Sequence, residues 1–328
     1  DYTYNELSVN DKTVFEYMLK ADSYANVETS GGDIEAGKKL CDKTFETVVH
    51  DPYLAHAPME PHAALAQFEG GKMTVWASTQ TPYPLQDELA GVLGLPLEKV
   101  RVITPFVGGG FGGKSINGQA IEAAKLAKIS GKPVMLAYTR EEEFFYDGFH
   151  PAGVITVKSG IDKEGLIKFW DYDAYYCGTR GSEIIYDVPN LKITDHGDKE
   201  NTPSVHPFGT GPWRAPNNNT NTFAREMQVD VMAAAAGIDP LEFRLKNLKD
   251  EKMTEVMKKV ADMFGYKPGK GKGGRGVGMA IGTDVGALVA QMAEIEVDKT
   301  TGKVKVLRMA CAQDMGLCVN PQGATLQM

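Results

Sequence analysis

The sequence predicts an α+β fold, on three observations. β-Hairpins with similar Asp/Glu…Gly turns recur three times, a block of helices separates the second from the third, and the pattern is one of weakly repeated β–β–α units, not the alternation of a doubly wound sheet. The first hairpin pairs Ala64–Phe68 with Met73–Ala77 across Glu69-Gly70-Gly71-Lys72, where glycine supplies the positive φ that a tight turn needs. A helix over Leu85–Leu93 follows, stopped by Gly94 with Pro96 just beyond. Next come a strand over Val100–Thr104, a glycine-rich loop, a helix over Gln119–Ile129 and a strand over Val134–Thr139. The second hairpin joins Val154–Val157 to Ile167–Trp170 through Asp162–Gly165, and the third joins Ala293–Val297 to Val304–Met309 through Asp298–Gly302. Between them lie helices over Thr222–Ala236, Leu241–Leu248 and Met253–Phe264, the middle one started by Asp239 as N-cap and Pro240 at the first turn.

This reading divides the chain into an irregular, polar lead-in over 1–45 with Gly31-Gly32 as a hinge, and a first lobe over 46–266. A Gly/Lys linker over 267–276 and an incomplete second lobe over 277–328 follow. A length of 328 residues suits two lobes. The net charge of −8 argues against a nucleic-acid surface, which needs clustered Lys and Arg. No apolar run reaches the length that spans a bilayer. Cys41, Cys177, Cys311 and Cys318 show no CxxC spacing, so a zinc or iron–sulfur centre built by this chain alone is not expected. The chain opens on Asp1 and stops at Leu326-Gln327-Met328, which reads as cut at both ends; no compartment is assigned.

The loop Gly108-Gly109-Gly110-Phe111-Gly112-Gly113-Lys114-Ser115 matches the phosphate-binding pattern GxxxxGK[ST] letter for letter. A nucleotide site also needs a strand ending in a magnesium-binding Asp and a parallel sheet. The strand after Val134 ends in Arg140 and three glutamates instead, and the hairpins around the loop imply antiparallel neighbours. Nucleotide binding is therefore a distant reading. The loop can still present successive N–H groups to an anion, since glycine leaves the backbone open to close approach.

Several segments together carry a family resemblance. They are His56-Ala57-Pro58-Met59-Glu60-Pro61-His62, Trp76-Ala77-Ser78-Thr79-Gln80, the glycine loop, Thr139-Arg140-Glu141-Glu142, Trp213-Arg214-Ala215-Pro216, Phe223-Ala224-Arg225-Glu226 and Gly237–Arg244. In this order they resemble the molybdopterin-binding large subunit of the xanthine dehydrogenase/aldehyde oxidase family. The short link from Gly276–Ala280 into Ala293–Val297 is most like the isoquinoline 1-oxidoreductase branch.

The resemblance implies two-layer α/β sandwiches and hydroxylation of an aldehyde or N-heterocycle with oxygen from water. It implies a molybdenum–molybdopterin cofactor, with the cytosine dinucleotide as one form, and Fe–S clusters on a partner. The implied partners are the remaining part of the molybdenum subunit and a small [2Fe-2S] subunit. From the same resemblance, Gln80, Gly110, Phe111, Gly112 and Arg214 bind the cofactor, with Gln80, Phe111 and Arg214 nearest the metal. Arg140 and Ser115 take substrate-contacting positions; for Arg140 the alternative is a surface ion pair with Glu141–Glu143.

The departures are informative. Ser115 stands where purine oxidisers carry a Glu, which makes xanthine an unsuitable substrate, and Pro216-Asn217-Asn218-Asn219 replaces a Gly-Phe-Gly stretch. The family's general-base Glu, in a Gly-Glu-Pro segment, has no counterpart here, and Glu60 before Pro61 belongs to a different motif. The chain alone is accordingly expected to be inactive, either one of two chains of the subunit or a trimmed piece. A non-catalytic assembly domain of the same fold is the rival reading.

Overall fold

The computed structural model describes residues 9–21, 24–197, 205–207, 209–269, 271 and 273–328. In chain order the elements are α1 (Val14–Lys20), β1 (Asn26–Gly31), α2 (Ile34–Lys39), β2 (Lys43–Asp51), β3 (Ala63–Glu69), β4 (Lys72–Ala77), α3 (Pro82–Leu93) and β5 (Val100–Ile103). They continue as α4 (Gly118–Ser130), β6 (Val134–Ala137), α5 (Arg140–Tyr146), β7 (Gly153–Ile161), β8 (Ile167–Tyr175), β9 (Leu191–Asp195) and α6 (Asn218–Ala236). The last are α7 (Pro240–Asn247), α8 (Glu251–Phe264), β10 (Arg275–Asp284), β11 (Ala287–Val297), β12 (Val304–Asp314) and α9 (Pro321–Gln327). Among the described residues no helix is long and apolar enough to cross a membrane.

The α+β class expected from the hairpins is what the chain adopts. The chain separates into two compact units that interleave in sequence. One comprises Asp1–Tyr17, Pro52–Ala152 and Pro203–Pro216; the other comprises Met18–Asp51, Gly153–Thr202 and Asn217–Met328. Contiguous lobes at 46–266 and 277–328 are therefore not how the contacts divide, because strand pairing joins β2 and β7 across about a hundred intervening residues. Among its described residues the lead-in is not irregular either, since α1, β1 and α2 lie within it. β1 is exposed at every position, so it has no buried face to leave a period-2 apolar signature, yet its backbone pairs with β9. Of the expected linker, residues 270 and 272 lie outside the described residues, and Arg275-Gly276 already belongs to β10.

The first unit holds a four-stranded sheet in the order β5-β4-β3-β6. Alternation along β4 buries Met73, Val75 and Ala77 on one face, beside Ala64 and Ala66 of β3. Leu85, Leu89 and Leu93 of α3 and Ala120, Ala123, Ala124 and Ala127 of α4 complete this core. The alanines recur at i, i+3, i+4 and i+7, and their small side chains let α4 lie close on the sheet. This is a two-layer α/β sandwich. β5, which feeds the glycine loop, runs parallel to β4 and corrects the expectation of antiparallel neighbours. The α3 crossover between them permits that direction, which a hairpin connection does not.

The second unit holds a five-stranded sheet, β1-β9-β8-β7-β2, and a three-stranded sheet, β10-β11-β12. Ile155, Val157, Trp170 and Tyr172 form a core with Ala224, Val229, Met232 and Ala233 of α6. Its buried charges converge on Glu226, which meets Arg244 Nε at 3.0 Å, Arg225 Nε at 3.3 Å and the Tyr186 hydroxyl at 3.1 Å, and accepts Ile281 N–H at 3.2 Å. One carboxylate thereby ties α6 to α7 and to β10.

Candidate functional site

The glycine loop is held from inside by three side chains, all within the first unit. Glu60 accepts the Gly108 N–H at 2.6 Å and the Lys114 ammonium at 2.9 Å through the same oxygen. Burial alone would raise the Glu60 pKa, but Lys114 and the Gly108 amide outweigh it and hold the carboxyl below its usual range. Lys114 is fully buried. It is committed to Glu60, and only a single 3₁₀ turn over Gly113–Ser115 precedes the α-helix that begins at Gly118, so the nucleotide reading fails on the residue it needed most.

Gln80 forms the second tie. Its backbone N–H donates to Lys114 O at 2.8 Å, and its side-chain Oε1 accepts the Gly112 N–H at 2.9 Å. Committing the oxygen leaves the two Nε2 donors without a partner among the described residues, on an exposed side chain. The Gly112 amide is thereby spent, as are those of Gly108 and Gly113, the last on Gly110 O at 2.9 Å. Of the successive N–H groups expected to face an anion, that of Gly112 is turned to Gln80 instead. The amides of Gly109, Gly110 and Phe111 are the consecutive donors that have no acceptor among the described residues.

Backbone conformation here is unusual. Phe111 has φ 56° and Gly112 has φ 112°, and a side chain is costly in the first case and excluded in the second. A Cβ on Gly112 would lie 1.7 Å from Pro212 O, and one on Gly110 would lie 2.4 Å from Gln80 Oε1. The loop thus packs backbone to backbone against the segment that leads into Trp213 and Arg214. Arg214 is exposed, and Ala215 beside it has φ 60°.

His56 is the third tie, and its residue type and spacing alone gave it no role. Its Nδ1 lies 2.8 Å from Asp147 Oδ1, its backbone N–H donates to Asp147 Oδ2 at 2.8 Å, and its Nε2 lies 2.9 Å from Pro212 O. His62 repeats half of this arrangement: its backbone N–H donates to Glu143 Oε2 at 2.7 Å and its Nδ1 lies 2.9 Å from Oε1, while its buried Nε2 has no partner. The signal was a pair of histidines six apart facing carboxylates four apart on or just after α5, one helical turn. No single sequence shows that these two segments meet.

Of the substrate positions, Arg140 makes no pair with Glu141–Glu143. Its Nη2 donates to Pro58 O at 2.6 Å, the guanidinium lies 5.4 Å from the Phe144 ring centroid, and Nη1 is buried without a partner. Thr139 caps α5 through a reciprocal capping box with Glu142, which holds Arg140 at the first turn. Ser115 is half-buried; its backbone N–H donates to Gly112 O at 3.1 Å, and its hydroxyl has no partner among the described residues. The structure thus brings Gln80, Gly110, Phe111 and Gly112 together and seats the Arg214 segment against them. Arg140 stands by the Pro58–Met59 turn, and a Cβ on Gly109 would meet Pro58 at 3.5 Å. What results is a glycine loop with free amides, a free carboxamide donor and an unpaired guanidinium nitrogen, all suited to an anionic, oxygen-rich ligand.

A molybdopterin cofactor-binding domain model matches residues 19–248, and a second model of the same description matches 245–328. The chain belongs to the molybdopterin cofactor-binding domain family. It is 27% identical to a nicotinate dehydrogenase chain of Pseudomonas putida, over 90% of this chain and 28% of that protein. It is 28% identical to the beta chain of isoquinoline 1-oxidoreductase from Brevundimonas diminuta, over 83% of this chain and 37% of that one. The solved aldehyde oxidoreductase of Desulfovibrio gigas shares the fold, with a TM-score of 0.68 and 21% identity over 87% of this chain and 35% of that one. The chain therefore spans less than half the length of these relatives. Among the described residues no group of three His, Cys, Asp or Glu side chains is placed to hold a metal ion directly.

Proposed function

We propose that this chain lines one side of the cofactor pocket in the large subunit of a molybdenum hydroxylase that acts on an aldehyde or N-heterocycle. The observation that carries the reading is the Gln80–Gly112 contact, which turns a neutral amide donor outward beside three unspent backbone amides. When bound, the molybdenum–pterin group supplies the two-electron oxidation of substrate with oxygen drawn from water. The protein's part is to bind and orient. Gln80 donates from Nε2 to a ligand oxygen without adding charge to an oxygen-rich centre. Gly109, Gly110 and Phe111 present N–H groups that favour negative charge. Gly112 has no side chain and so lets the Pro212–Arg214 segment close on the loop.

Arg140 fits the substrate side, because its buried Nη1 lacks an acceptor and an oxygen or ring nitrogen of substrate supplies one. Ser115 gives that side a neutral hydroxyl, which favours an aldehyde or a simple N-heterocycle over a purine. Electrons leave to Fe–S clusters on a small [2Fe-2S] partner, and the remaining part of the molybdenum subunit supplies the general base. The pterin's dinucleotide form belongs to the same proposal, with cytosine as the nucleotide.

The test is metal and pterin analysis of the intact complex containing this chain. One molybdenum and one pterin per complex is the expected result, and their absence overturns the reading. Gly112→Val supplies the site-level check. With φ 112° and Pro212 O in the way, the variant is expected to lose at least about tenfold in molybdenum content while the secondary structure by circular dichroism is unchanged. Full molybdenum retention would remove the loop from the site.

A further inference from the structure

His56 lies at a carbonyl on which the glycine loop and the Pro212–Arg214 segment meet. Its side chain is fully buried, and each ring nitrogen faces an oxygen that can only accept: the Asp147 carboxylate at 2.8 Å and the Pro212 carbonyl at 2.9 Å. Two acceptors are both satisfied only by two N–H groups, which the imidazolium form supplies. Burial opposes that charge, but Asp147, the Pro212 carbonyl and the more distant Glu143 outweigh it and hold the His56 pKa above its usual value. Asp147 is correspondingly held below the usual carboxylate range. His62, the next histidine along the chain, lacks the second contact, so the tie to a backbone carbonyl is particular to His56 and not a property of the repeated motif.

Pro212 O, the oxygen that His56 grips, is also the atom on which Gly112 packs. Gly113 leans on the same ring, since a Cβ there would lie 2.8 Å from His56 Cγ. Two residues after Pro212 comes Arg214.

We infer that His56 is a positioning residue for the cofactor pocket: its Nε2–H pins the Pro212 carbonyl onto Gly112 and so fixes the spacing between the glycine loop and the Arg214 segment. The inference rests on the molybdopterin reading for its consequence, though not for its geometry. Asp147 orients the ring, and the ring holds the carbonyl. His56 thus acts through Asp147 and the Pro212 carbonyl, the groups it contacts.

Two substitutions separate the ring's two contacts. His56→Gln places an amide N–H near the Nε2 position and can keep the Pro212 contact while losing Asp147. His56→Asn places its amide near Nδ1, keeps Asp147 and loses Pro212. Both are made in the intact complex, with circular dichroism to confirm the fold, and two quantities are read. The first is amide hydrogen exchange of the peptides covering 109–113 and 209–216, which needs no cofactor. The second is molybdenum and pterin content.

Exchange in both peptides is expected to rise about tenfold in His56→Asn and to stay near wild type in His56→Gln, as follows from losing one charge-assisted hydrogen bond. Cofactor content is expected to fall in His56→Asn and be largely rescued in His56→Gln. Equal loosening in both variants, or greater loosening in His56→Gln, overturns the inference, because the Asp147 contact alone would then hold the segment. If exchange behaves as expected but wild type and variants alike carry no molybdenum or pterin, the Pro212 tie stands and the cofactor reading falls.

Discussion

Both units bury charge, and they use it differently. In the second unit Glu226 gathers Arg225, Arg244 and Tyr186, and its partners lie on α6, on α7 and in the segment before β9, so the network holds structural elements to one another. In the first unit Lys114, His56 and Asp147 are equally buried, but the pairs they form reach irregular chain: Lys114 holds Glu60, which also accepts the Gly108 amide, and His56, oriented by Asp147, meets the Pro212 carbonyl. There the charge holds irregular chain in place beside exposed donors. Buried ion pairs cost desolvation wherever they occur, so a cluster that supports no core element is better explained by what it positions.

That contrast can be broken most sharply at Arg244. Arg244→Ala leaves Glu226 buried with its main partner gone, and is expected to cost about 3–5 kcal/mol of stability, as removal of one member of a buried pair does. Chemical denaturation of the purified protein measures it, and a loss below about 1 kcal/mol would mean the network is not structural. Lys114→Met is the counterpart in the first unit. Glu60 keeps partial exposure and the Gly108 amide, so the expected cost is smaller, about 1–2 kcal/mol, while exchange at Gly108 accelerates. A large global loss with unchanged loop exchange would erase the distinction between the units.

Gln80→Glu keeps an oxygen for the Gly112 amide but removes the outward donors. Molybdenum content is expected to drop severalfold with little change in melting temperature, because the side chain is exposed; unchanged content would remove Gln80 from the proposed contacts.

The smallest effect is a pH window. His56 is raised above its ordinary 6.5, so its contribution is complete below that value and is lost as pH rises through the raised pKa. Asp147 is lowered below its ordinary 3.8, so its contribution is present above that value and is lost as pH falls through the lowered pKa. The pair is therefore intact between those two ordinary values. Exchange of the 209–216 peptide, corrected for intrinsic rate, should be slowest within that window and rise on the alkaline side in wild type, with the rise absent in His56→Gln.

Much of the fold was legible locally. The hairpin turning on Gly70-Gly71, the helix opened by Asp239-Pro240 and the alanine face of α4 each follow from dihedral needs or periodicity within a few residues. β1 was not legible, because an edge strand without a buried face leaves no pattern, and the parallel partner of β5 was misread because register between distant segments is not a local property. At the site, the glycine loop and Gln80 stood out by residue type. The loop's donors did not, since which amides are free depends on where Glu60 and Gln80 fold back.

By itself, then, the sequence determined the α+β class, the turn glycines and the set of motifs that places the chain in a molybdopterin-binding family. Tertiary structure alone decided that Lys114 turns inward to Glu60, that Gly112 spends its amide on Gln80, and that His56 joins Asp147 to Pro212. The physical reason is range. Propensity and capping act over a few residues of chain, whereas desolvation makes buried charges and amides find partners wherever the fold brings them, here across 91 and 156 positions of sequence for the two contacts of His56.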